Sequence, residues 1–299
     1  MRVAITGVSG FIGSVLARRL HEAGRHVTGL VRPTSRRDHI EPHVDRIVVG
    51  DQADPSCWPD LLEGADAVVH SSTDWSGRTK DADFERYVRS NLLGSLLLLR
   101  ASAPRPFVFM SSVSVHCDMR PRWKGLIDED HPTRPGDLYG AYKAAVEAFL
   151  WAERASHDRP CVAIRPAAVY GIDPKLERSI GYPIVEKIRA GQAVARSGGG
   201  KFVHVDDVAG VTLAVLGHPG DAPPVINMAD CYARWSDWAK MTAEILGVAA
   251  RIDESSPPAP KNTFSPEAAR SLGVALDRGH EGIRQHLRDL IERMDAGRA

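Results

Sequence analysis

Short apolar segments alternate with stretches of helical periodicity along residues 1–171, and this alternation restricts the fold more than any other feature. The apolar segments lack a regular polar–apolar alternation, which is typical of strands buried on both faces of a parallel sheet. Parallel strands need right-handed helical crossovers, so the pattern predicts an α/β fold with a doubly wound parallel sheet. The predicted strands are residues 3–5, 27–31, 47–49, 67–69, 107–110 and 162–164.

A glycine-rich turn joins the first predicted strand to the first predicted helix, where residues 6–13 read TGVSGFIG. Glycine lets the backbone bend sharply and approach a pyrophosphate, while the helix N-terminus offers free N–H groups. The spacing is GxxGxxG and differs from the common GxGxxG fingerprint, and a tight turn without a ligand is the alternative interpretation. The candidate cofactor-binding residues are Gly7, Gly10, Phe11, Ile12 and Gly13.

The pattern changes after Gly171, where helical stretches continue, notably at residues 235–246 and 281–294, but strands become sparse. We therefore predict a dinucleotide-binding domain followed by a smaller substrate lobe. The predicted domain comprises residues 1–171 with 201–218 returning to it, and the predicted lobe comprises residues 172–200 and 219–299.

Composition restricts the partners and the compartment. The 38 basic residues balance 38 acidic ones, so no basic face for nucleic acid is predicted. The longest strongly apolar run, residues 96–99, is far shorter than the roughly 20 residues that cross a bilayer. Four scattered cysteines offer neither a zinc cluster nor a redox pair, and no metal site is predicted. The N-terminal residues run directly into the first strand and leave no room for a signal peptide, so we expect a cytoplasmic protein.

The residue that ends the second strand of such a fold contacts the ribose of the adenosine. An acidic side chain there accepts from a 2′-hydroxyl, whereas arginine suits a 2′-phosphate. Arg32 ends this strand, Arg36 and Arg37 follow, and the nearest carboxylate is Asp38. Arg32 therefore favours NADP(H), with NAD(H) and a solvated surface arginine as the alternatives. Asp51, after the third strand, is placed to meet the adenine edge.

Tyr139 and Lys143 lie four residues apart in a segment of helical composition. This spacing puts both side chains on one helix face, where a nearby ammonium lowers the pKa of a phenol. Such a phenol can exchange a proton with a substrate hydroxyl or carbonyl. The pair is therefore a candidate catalytic site, although the same spacing is common in structural helices.

Several motifs together resemble the extended short-chain dehydrogenase/reductase family. They begin with TGxxGxxG at residues 6–13, YxxxK at residues 139–143 and the serine pair Ser111-Ser112 after the fifth strand. The further matching segments are SNLLGS at 90–95, IRP at 164–166, VYG at 169–171 and FVHVDDVA at 202–209. These motifs cover most of the chain in the order that the family has.

The resemblance implies a role for individual residues. Ser112 matches the serine that hydrogen-bonds the reacting oxygen, and Tyr139 matches the proton donor or acceptor. Lys143 matches the lysine that holds the nicotinamide ribose and tunes the tyrosine. Asn91 matches the asparagine that supports the site through a bound water. A homodimer formed through the helices that carry Asn91 and Tyr139 is also implied.

Departures from the family pattern narrow the activity. Val113-Ser114 stands where dehydratases have an Asp-Glu pair, so dehydration is disfavoured. Gly200-Lys201 replaces an Arg-Asp pair that is frequent in relatives binding nucleotide diphosphates, although Lys201 is still able to meet a phosphate. HSST at residues 70–73 replaces the usual small-residue turn after the fourth strand. His116 is interpreted as a partly buried histidine with a backbone partner, with substrate contact as the alternative.

These features predict an NAD(P)-dependent enzyme that oxidises, reduces or epimerises a secondary alcohol or ketone of a sugar or nucleotide-sugar. One alternative is an NADPH-dependent reductase of a small carbonyl compound that is not a sugar. Another is a non-catalytic dinucleotide-binding sensor, which is disfavoured because the chain keeps both Tyr139 and Lys143. No pattern in the sequence identifies the substrate.

Overall fold

The computed structural model describes residues 1–75, 83–117 and 125–297, and it confirms the doubly wound α/β fold. The strands in this part are β1 (Arg2–Thr6), β2 (His26–Val31), β3 (Arg46–Val49), β4 (Ala67–His70), β5 (Phe107–Met110), β6 (Leu126–Ile127), β7 (Cys161–Pro166), β8 (Ala168–Tyr170), β9 (Gly199–His204), β10 (Val225–Met228), β11 (Cys231–Arg234) and β12 (Thr263–Phe264). The α-helices in this part are α1 (Phe11–Glu22), α2 (Trp58–Leu62), α3 (Phe84–Tyr87), α4 (Gly94–Ala101), α5 (Leu138–His157), α6 (Tyr182–Arg189), α7 (Val205–Gly217), α8 (Trp235–Leu246), α9 (Glu267–Ser271) and α10 (Gly279–Ala296).

Seven of these strands form one parallel sheet in the order β10-β7-β5-β4-β1-β2-β3. All six strands predicted from the apolar segments belong to it. The chain reverses its winding direction between β1 and β4. In an open α/β sheet, ligands bind in the crevice outside the carboxyl ends of the strands at such a point.

The strand β10 corrects the predicted division of the chain, which placed residues 219–299 in the substrate lobe. Val225–Met228 pairs with β7 and forms an edge of the central sheet. A four-residue strand that contains Asn227 has no clear pattern of its own, and pairing with β7 fixes its place. Within the predicted ranges, residues 76–82, 118–124 and 298–299 lie outside the part that the structure describes.

Helices cover both faces of the central sheet and create two hydrophobic cores. Val3 and Ile5 of β1 belong to the core that α1 and α7 close, whereas Ala4 between them belongs to the core that α4 and α5 close. Because both faces are buried, the strands appear in the sequence as continuous apolar runs.

A third core lies in the lobe formed by α6, α8, α10 and the three-stranded sheet β11-β9-β8. Trp238 is fully buried at its centre, and its ring centroid lies 5.1 Å from that of Phe202. The two helices predicted for this region, α8 and α10, are both present. No helix in the described ranges is long and apolar enough to span a membrane.

Candidate active site

The glycine-rich turn connects β1 to α1 with little space around its backbone. Gly7 has a φ of +72°, and a Cβ there would lie 2.7 Å from the Ser72 nitrogen. A Cβ on Gly13 would lie 2.2 Å from the Gly7 carbonyl oxygen. Gly10 precedes α1, so the first N–H groups of the helix, starting at Phe11, point out of its N-terminus. This close-packed turn with exposed donors fits the pyrophosphate of a dinucleotide.

Phe11 and Ile12 contribute to this turn through their backbone. The Phe11 ring lies 3.1 Å from the position of a Cβ on Gly171, and Ile12 packs against the core under α1. Their side chains therefore anchor the start of α1 to the protein interior. The N–H groups of the two residues belong to the first helical turn and are available to an anion.

Two predicted cofactor residues lie at the same edge of the sheet. Arg32 follows β2 directly and is exposed, and Asp51 follows the neighbouring β3. The Asp51 Oδ1 atom accepts a hydrogen bond of 2.9 Å from the Ala53 backbone. Arg36, in contrast, forms an ion pair of 2.7 Å with Asp38. Arg32 and Asp51 therefore lie at the carboxyl edge of the sheet, at the ends of the two strands that follow β1 in the sheet order.

The 20-residue helix α5 begins directly before the predicted catalytic tyrosine. Asp137 caps this helix because its Oδ1 atom accepts a hydrogen bond of 2.7 Å from the Gly140 backbone. The helix packs against the short 3-10 turn Val113–Val115 that follows β5. This packing brings the start of α5, which carries Tyr139 and Lys143, to the carboxyl edge of the central sheet and against the turn that Ser112 caps.

Lys143 is buried, with 2% of its surface exposed. Its Nζ donates to the Met110 carbonyl at 2.5 Å and to the Thr73 hydroxyl at 3.4 Å. The same nitrogen lies 4.5 Å from the centroid of the Phe109 ring and 4.8 Å from that of Tyr142. Burial lowers the pKa of Lys143 to about 7, against a smaller opposing effect of the carboxylate of Glu147.

Tyr139 is half-buried and stacks on Trp75, with ring centroids 5.0 Å apart and planes inclined by 25°. The Lys143 nitrogen lies 5.7 Å from the centroid of the Tyr139 ring. Ser112 caps the turn after β5, where its Oγ accepts from the Ser114 backbone at 3.1 Å. A phenol beside an ammonium, with a serine hydroxyl at the same edge, has the composition of a proton-transfer site.

Asn91 is buried in a π-helical turn, Val88–Leu93, which leads into α4. Its Oδ1 accepts from the Asp74 backbone at 2.8 Å, and its Nδ2 donates to the Asp74 carbonyl at 3.0 Å. The resemblance implies support through a bound water, but here the amide group grips the peptide backbone. The Asn91 amide therefore holds the loop that follows β4, and the water-mediated role that the resemblance implies stays a prediction.

His70, at the end of β4, lies in a buried chain of hydrogen bonds. The Ser95 hydroxyl donates to the Asn91 carbonyl at 2.5 Å, so it accepts from Nε2 of His70 at 2.7 Å. Nδ1 of His70 then accepts from the Thr6 hydroxyl at 2.6 Å, and Ser72 donates to Thr6 at 2.9 Å. Burial, together with the charge of Lys143, lowers the pKa of His70 to about 3. This neutral histidine links the glycine turn to the Asn91 helix.

The two catalytic candidates contact Thr73 and Trp75, two residues for which the sequence predicts no role. The only signal was the HSST segment at residues 70–73, where small residues are usual. Which helix each side chain of that segment would meet depends on the packing of α5 against β4 and β5. The sequence pattern contains no information on that packing.

His116 has the backbone partner that the sequence analysis predicts. Its Nε2 faces the Arg165 guanidinium at 3.0 Å, so its Nδ1 donates to the Pro132 carbonyl at 3.3 Å. Arg165 is held in turn by Glu147 at 2.6 Å. Burial and the charge of Arg165 lower the pKa of His116 to about 3. The neutral ring therefore joins the loop at Pro132 to this ion pair.

The acidic pair in the motif FVHVDDVA is structural. Asp206 accepts from Arg18 at 3.1 Å, and Asp207 accepts from Arg278 at 2.7 Å. These contacts connect α7 to α1 and to the start of α10. In the described residues, no group of three or more histidine, cysteine, aspartate or glutamate side chains is arranged to hold a metal ion.

Comparison with known proteins identifies the family. A sequence model of the NAD-dependent epimerase/dehydratase family matches residues 3–229, and the chain belongs to this family. A 3-diazoavenalumate denitrifying reductase of a Streptomyces species is 27% identical, over 91% of this chain and 88% of the relative. The UDP-glucose 4-epimerase of Mycolicibacterium smegmatis is 31% identical, over 74% of each chain. A crystal structure of UDP-galactose 4-epimerase superposes with a TM-score of 0.77 at 25% identity, covering 98% of this chain and 99% of that one.

We predict that the buried charge of Lys143 makes stability depend on pH. In the unfolded chain the lysine pKa is 10.5, and in the folded protein it is about 7. Between these values the unfolded state binds more protons, so a rising pH favours folding. Below pH 7, Lys143→Met should therefore have a larger free energy of unfolding than the wild type. Each unit of difference between the folded and unfolded lysine pKa contributes about 1.4 kcal/mol to this advantage. This advantage should shrink as the pH rises towards 10.

Urea unfolding at several pH values measures this difference. Lys187→Met, which replaces an exposed lysine on α6, is the control and should show no such trend. A difference between Lys143→Met and the wild type that stays constant from pH 6 to about pH 10 would contradict the prediction.

Proposed function

We propose that the protein is an NAD(P)-dependent oxidoreductase or epimerase that acts on a secondary alcohol or ketone of a sugar or nucleotide-sugar. The observation that carries the proposal is the position of Tyr139 and Lys143 on one face of α5, which packs against the turn that Ser112 caps. This group lies at the carboxyl edge of the same sheet that carries the glycine turn. The family contains NAD-dependent enzymes, which supports the reaction class.

In the proposed reaction Tyr139 exchanges a proton with the substrate oxygen. The Lys143 ammonium favours the phenolate of Tyr139 and so lowers the free energy of that exchange. Ser112 donates a hydrogen bond to the same substrate oxygen and fixes its orientation. Asn91 keeps the loop after β4 in place, because its amide pairs with the Asp74 backbone on both sides.

The observed residues fit a dinucleotide for two reasons. A Cβ at Gly13 would clash with the turn, and the N-terminus of α1 begins at this turn with its free N–H groups. Gly7, Gly10 and the first N–H groups of α1 would hold the pyrophosphate, and Asp51 would meet the adenine. Lys143 would hold the nicotinamide ribose. The bound nicotinamide supplies the hydride or accepts it. Arg32 favours a 2′-phosphate, which makes NADP(H) the proposed form over NAD(H).

A second candidate is an NADPH-dependent reductase of a small carbonyl compound that is not a sugar. Two observations favour it. The relative that matches 91% of this chain is a reductase. Lys201, which replaces the family's Arg-Asp pair, lies with its Nζ 5.6 Å from the centroid of the Phe264 ring, and burial lowers its pKa. A lysine held in this way is a weaker partner for a nucleotide diphosphate than a bidentate arginine.

Replacing Tyr139 by phenylalanine removes the proton donor but keeps the ring that stacks on Trp75. We expect turnover to fall by about 100-fold to 10,000-fold, the usual contribution of general acid–base catalysis. The dissociation constant of the cofactor should change less than twofold, about 0.4 kcal/mol. Steady-state kinetics and fluorescence titration with NADPH measure the two quantities. Full activity of Tyr139→Phe would exclude the mechanism.

The stoichiometry of the cofactor separates the candidate reactions. A reductase consumes NADPH in step with product, whereas an epimerase returns the hydride to its own substrate and shows no net consumption. Mass spectrometry of molecules that copurify with the protein reports the form of the cofactor and the class of substrate. Tight cofactor binding without turnover of any ketone, aldehyde or nucleotide-sugar would indicate a non-catalytic sensor.

The preference for NADP(H) is tested at Arg32. Arg32→Ala removes a charge-assisted hydrogen bond to the 2′-phosphate, so the affinity for NADPH should fall by about tenfold, or 1.4 kcal/mol. The affinity for NADH should stay within about twofold. Arg25→Ala is the matched control, because Arg25 is an exposed arginine at the opposite end of β2. Equal losses for both cofactors would contradict the assignment.

We also propose a homodimer that packs α4 and α5 against the same helices of a second copy. The two helices contact each other and expose Leu97 and Phe149, which are 38% and 51% accessible. The exposed side of α5 carries the apolar residues Leu138, Ala141, Ala148, Phe149 and Ala152, and Ser156 follows them in the last turn. A continuous apolar face on adjacent helices suits a self-complementary interface.

A charge within this face should separate the copies. Phe149→Glu is expected to give a monomer, because a buried and unpaired carboxylate would cost several kcal/mol at the interface. Light scattering coupled to size-exclusion chromatography measures the mass. Trp151→Glu is the control, since Trp151 is similarly exposed but points to a different side of α5. A monomeric wild type would exclude the proposal.

A further inference from the structure

The loop after β4, residues 71–75, contacts the glycine turn, the π-helical turn and α5. Alternate residues among its last four contact two different regions of the protein. The Ser72 hydroxyl and the Asp74 backbone meet the glycine turn and the π-helical turn, while Thr73 and Trp75 meet α5. The contacts are Ser72 with Thr6, Thr73 with Tyr142 and Lys143, Asp74 with Asn91, and Trp75 with Tyr139.

Thr73 is the member of this loop that contacts the buried ammonium. Its hydroxyl lies 3.4 Å from Nζ of Lys143, at the long end of the hydrogen-bonding range, and 2.8 Å from the hydroxyl of Tyr142. A threonine oxygen has two lone pairs and one hydrogen, so it can accept from the ammonium while it shares a second bond with Tyr142. Among the described residues, the other acceptor of the ammonium is the Met110 carbonyl at 2.5 Å.

The neighbouring contacts keep the Thr73 hydroxyl in this position. Before Thr73 in the sequence, Ser72 forms a hydrogen bond with Thr6. After it, the backbone of Asp74 forms two hydrogen bonds with the Asn91 amide. Thr6 is itself bonded to His70 of β4. The loop cannot turn Thr73 away from α5 without breaking these part-buried hydrogen bonds.

The charged and titratable groups around the Lys143 ammonium do not replace the contact that the Thr73 hydroxyl makes with it. On α5, Glu147 attracts the ammonium, but its carboxylate is engaged by Arg165 of β7 and by the Ser111 hydroxyl. From β4, His70 faces the ammonium as a neutral ring. In the part of the chain that the structure describes, the remaining titratable groups beside it are the phenols of Tyr139 and Tyr142. Burial raises the pKa of Tyr142.

We propose that Thr73 is a positioning residue that, together with the Tyr142 hydroxyl, holds the Lys143 ammonium beside Tyr139. The inference rests on the function proposed above for Tyr139 and Lys143. Among the described residues, the Thr73 hydroxyl is one of two acceptors of the ammonium. The ammonium of Lys143 and the phenolate of Tyr139 favour each other, so the two groups titrate as a coupled pair. Removal of the Thr73 hydroxyl makes the ammonium less favourable and weakens its support of the Tyr139 phenolate.

The test is the ionisation of Tyr139 in the free protein, measured by the ultraviolet absorbance of tyrosinate. The difference between each protein and its Tyr139→Phe counterpart isolates this residue. Thr73→Val should raise the midpoint by about half a pH unit or more, as expected for the loss of a hydrogen bond to a charged group. Thr73→Ser keeps the hydroxyl and should restore the midpoint of the wild type.

Two further variants separate this effect from general damage. Tyr142→Phe removes the partner hydroxyl and should shift the midpoint in the same direction by a smaller amount. Thr212→Val removes a buried hydroxyl in α7, which donates to the Val208 carbonyl at 2.8 Å, and should leave the midpoint unchanged. In turnover assays, the loss of activity at high pH should occur at a lower pH in Thr73→Val, because Lys143 loses its proton at a lower pH.

The outcomes distinguish this inference from the function on which it rests. A wild-type midpoint well below the ordinary tyrosine value of about 10, unchanged in Thr73→Val, would overturn the role of Thr73 alone. An equal shift in Thr73→Ser and Thr73→Val would also overturn it. A wild-type midpoint at the ordinary value would overturn the activated tyrosine itself, and with it both proposals.

Discussion

The arrangement of the site depends on the burial of one positive charge. Lys143 lies almost fully inside the protein, where loss of water disfavours its ammonium form. The protein replaces that water with the Met110 carbonyl, the Thr73 hydroxyl and the faces of aromatic rings. These groups come from β5, the loop after β4 and α5. Their positions are fixed together because each faces the same nitrogen atom.

A second link joins the cofactor turn to the catalytic helix through β4. His70 bonds to Thr6 at the start of the glycine turn and to Ser95, which in turn donates to the Asn91 carbonyl. The direction of each bond is defined, since the neutral ring donates at one nitrogen and accepts at the other. The turn that fits a pyrophosphate and the loop that meets Tyr139 therefore form one rigid hydrogen-bonded unit at the edge of the sheet.

Short-range patterns made much of the molecule predictable. The six predicted strands, the turn at residues 6–13 and the pair Tyr139 and Lys143 depend on spacings of a few residues, and such spacings survive in any tertiary environment. The strand β10 was not predictable in this way, because four residues that include Asn227 acquire a strand conformation by pairing with β7. The amide of Asn91 likewise meets the Asp74 backbone only where the π-helical turn packs on the loop after β4.

The sequence by itself determined the class of fold, the glycine turn and the identity of the candidate proton-transfer pair. The tertiary structure alone decided what surrounds that pair. Thr73 meets Lys143 across 70 positions of sequence, and Thr6 meets His70 across 64. Such contacts arise from the order of strands in the sheet and from the packing of α5 over it. The local apolar pattern does not specify the strand order or the packing of α5, because many packings are compatible with the same pattern.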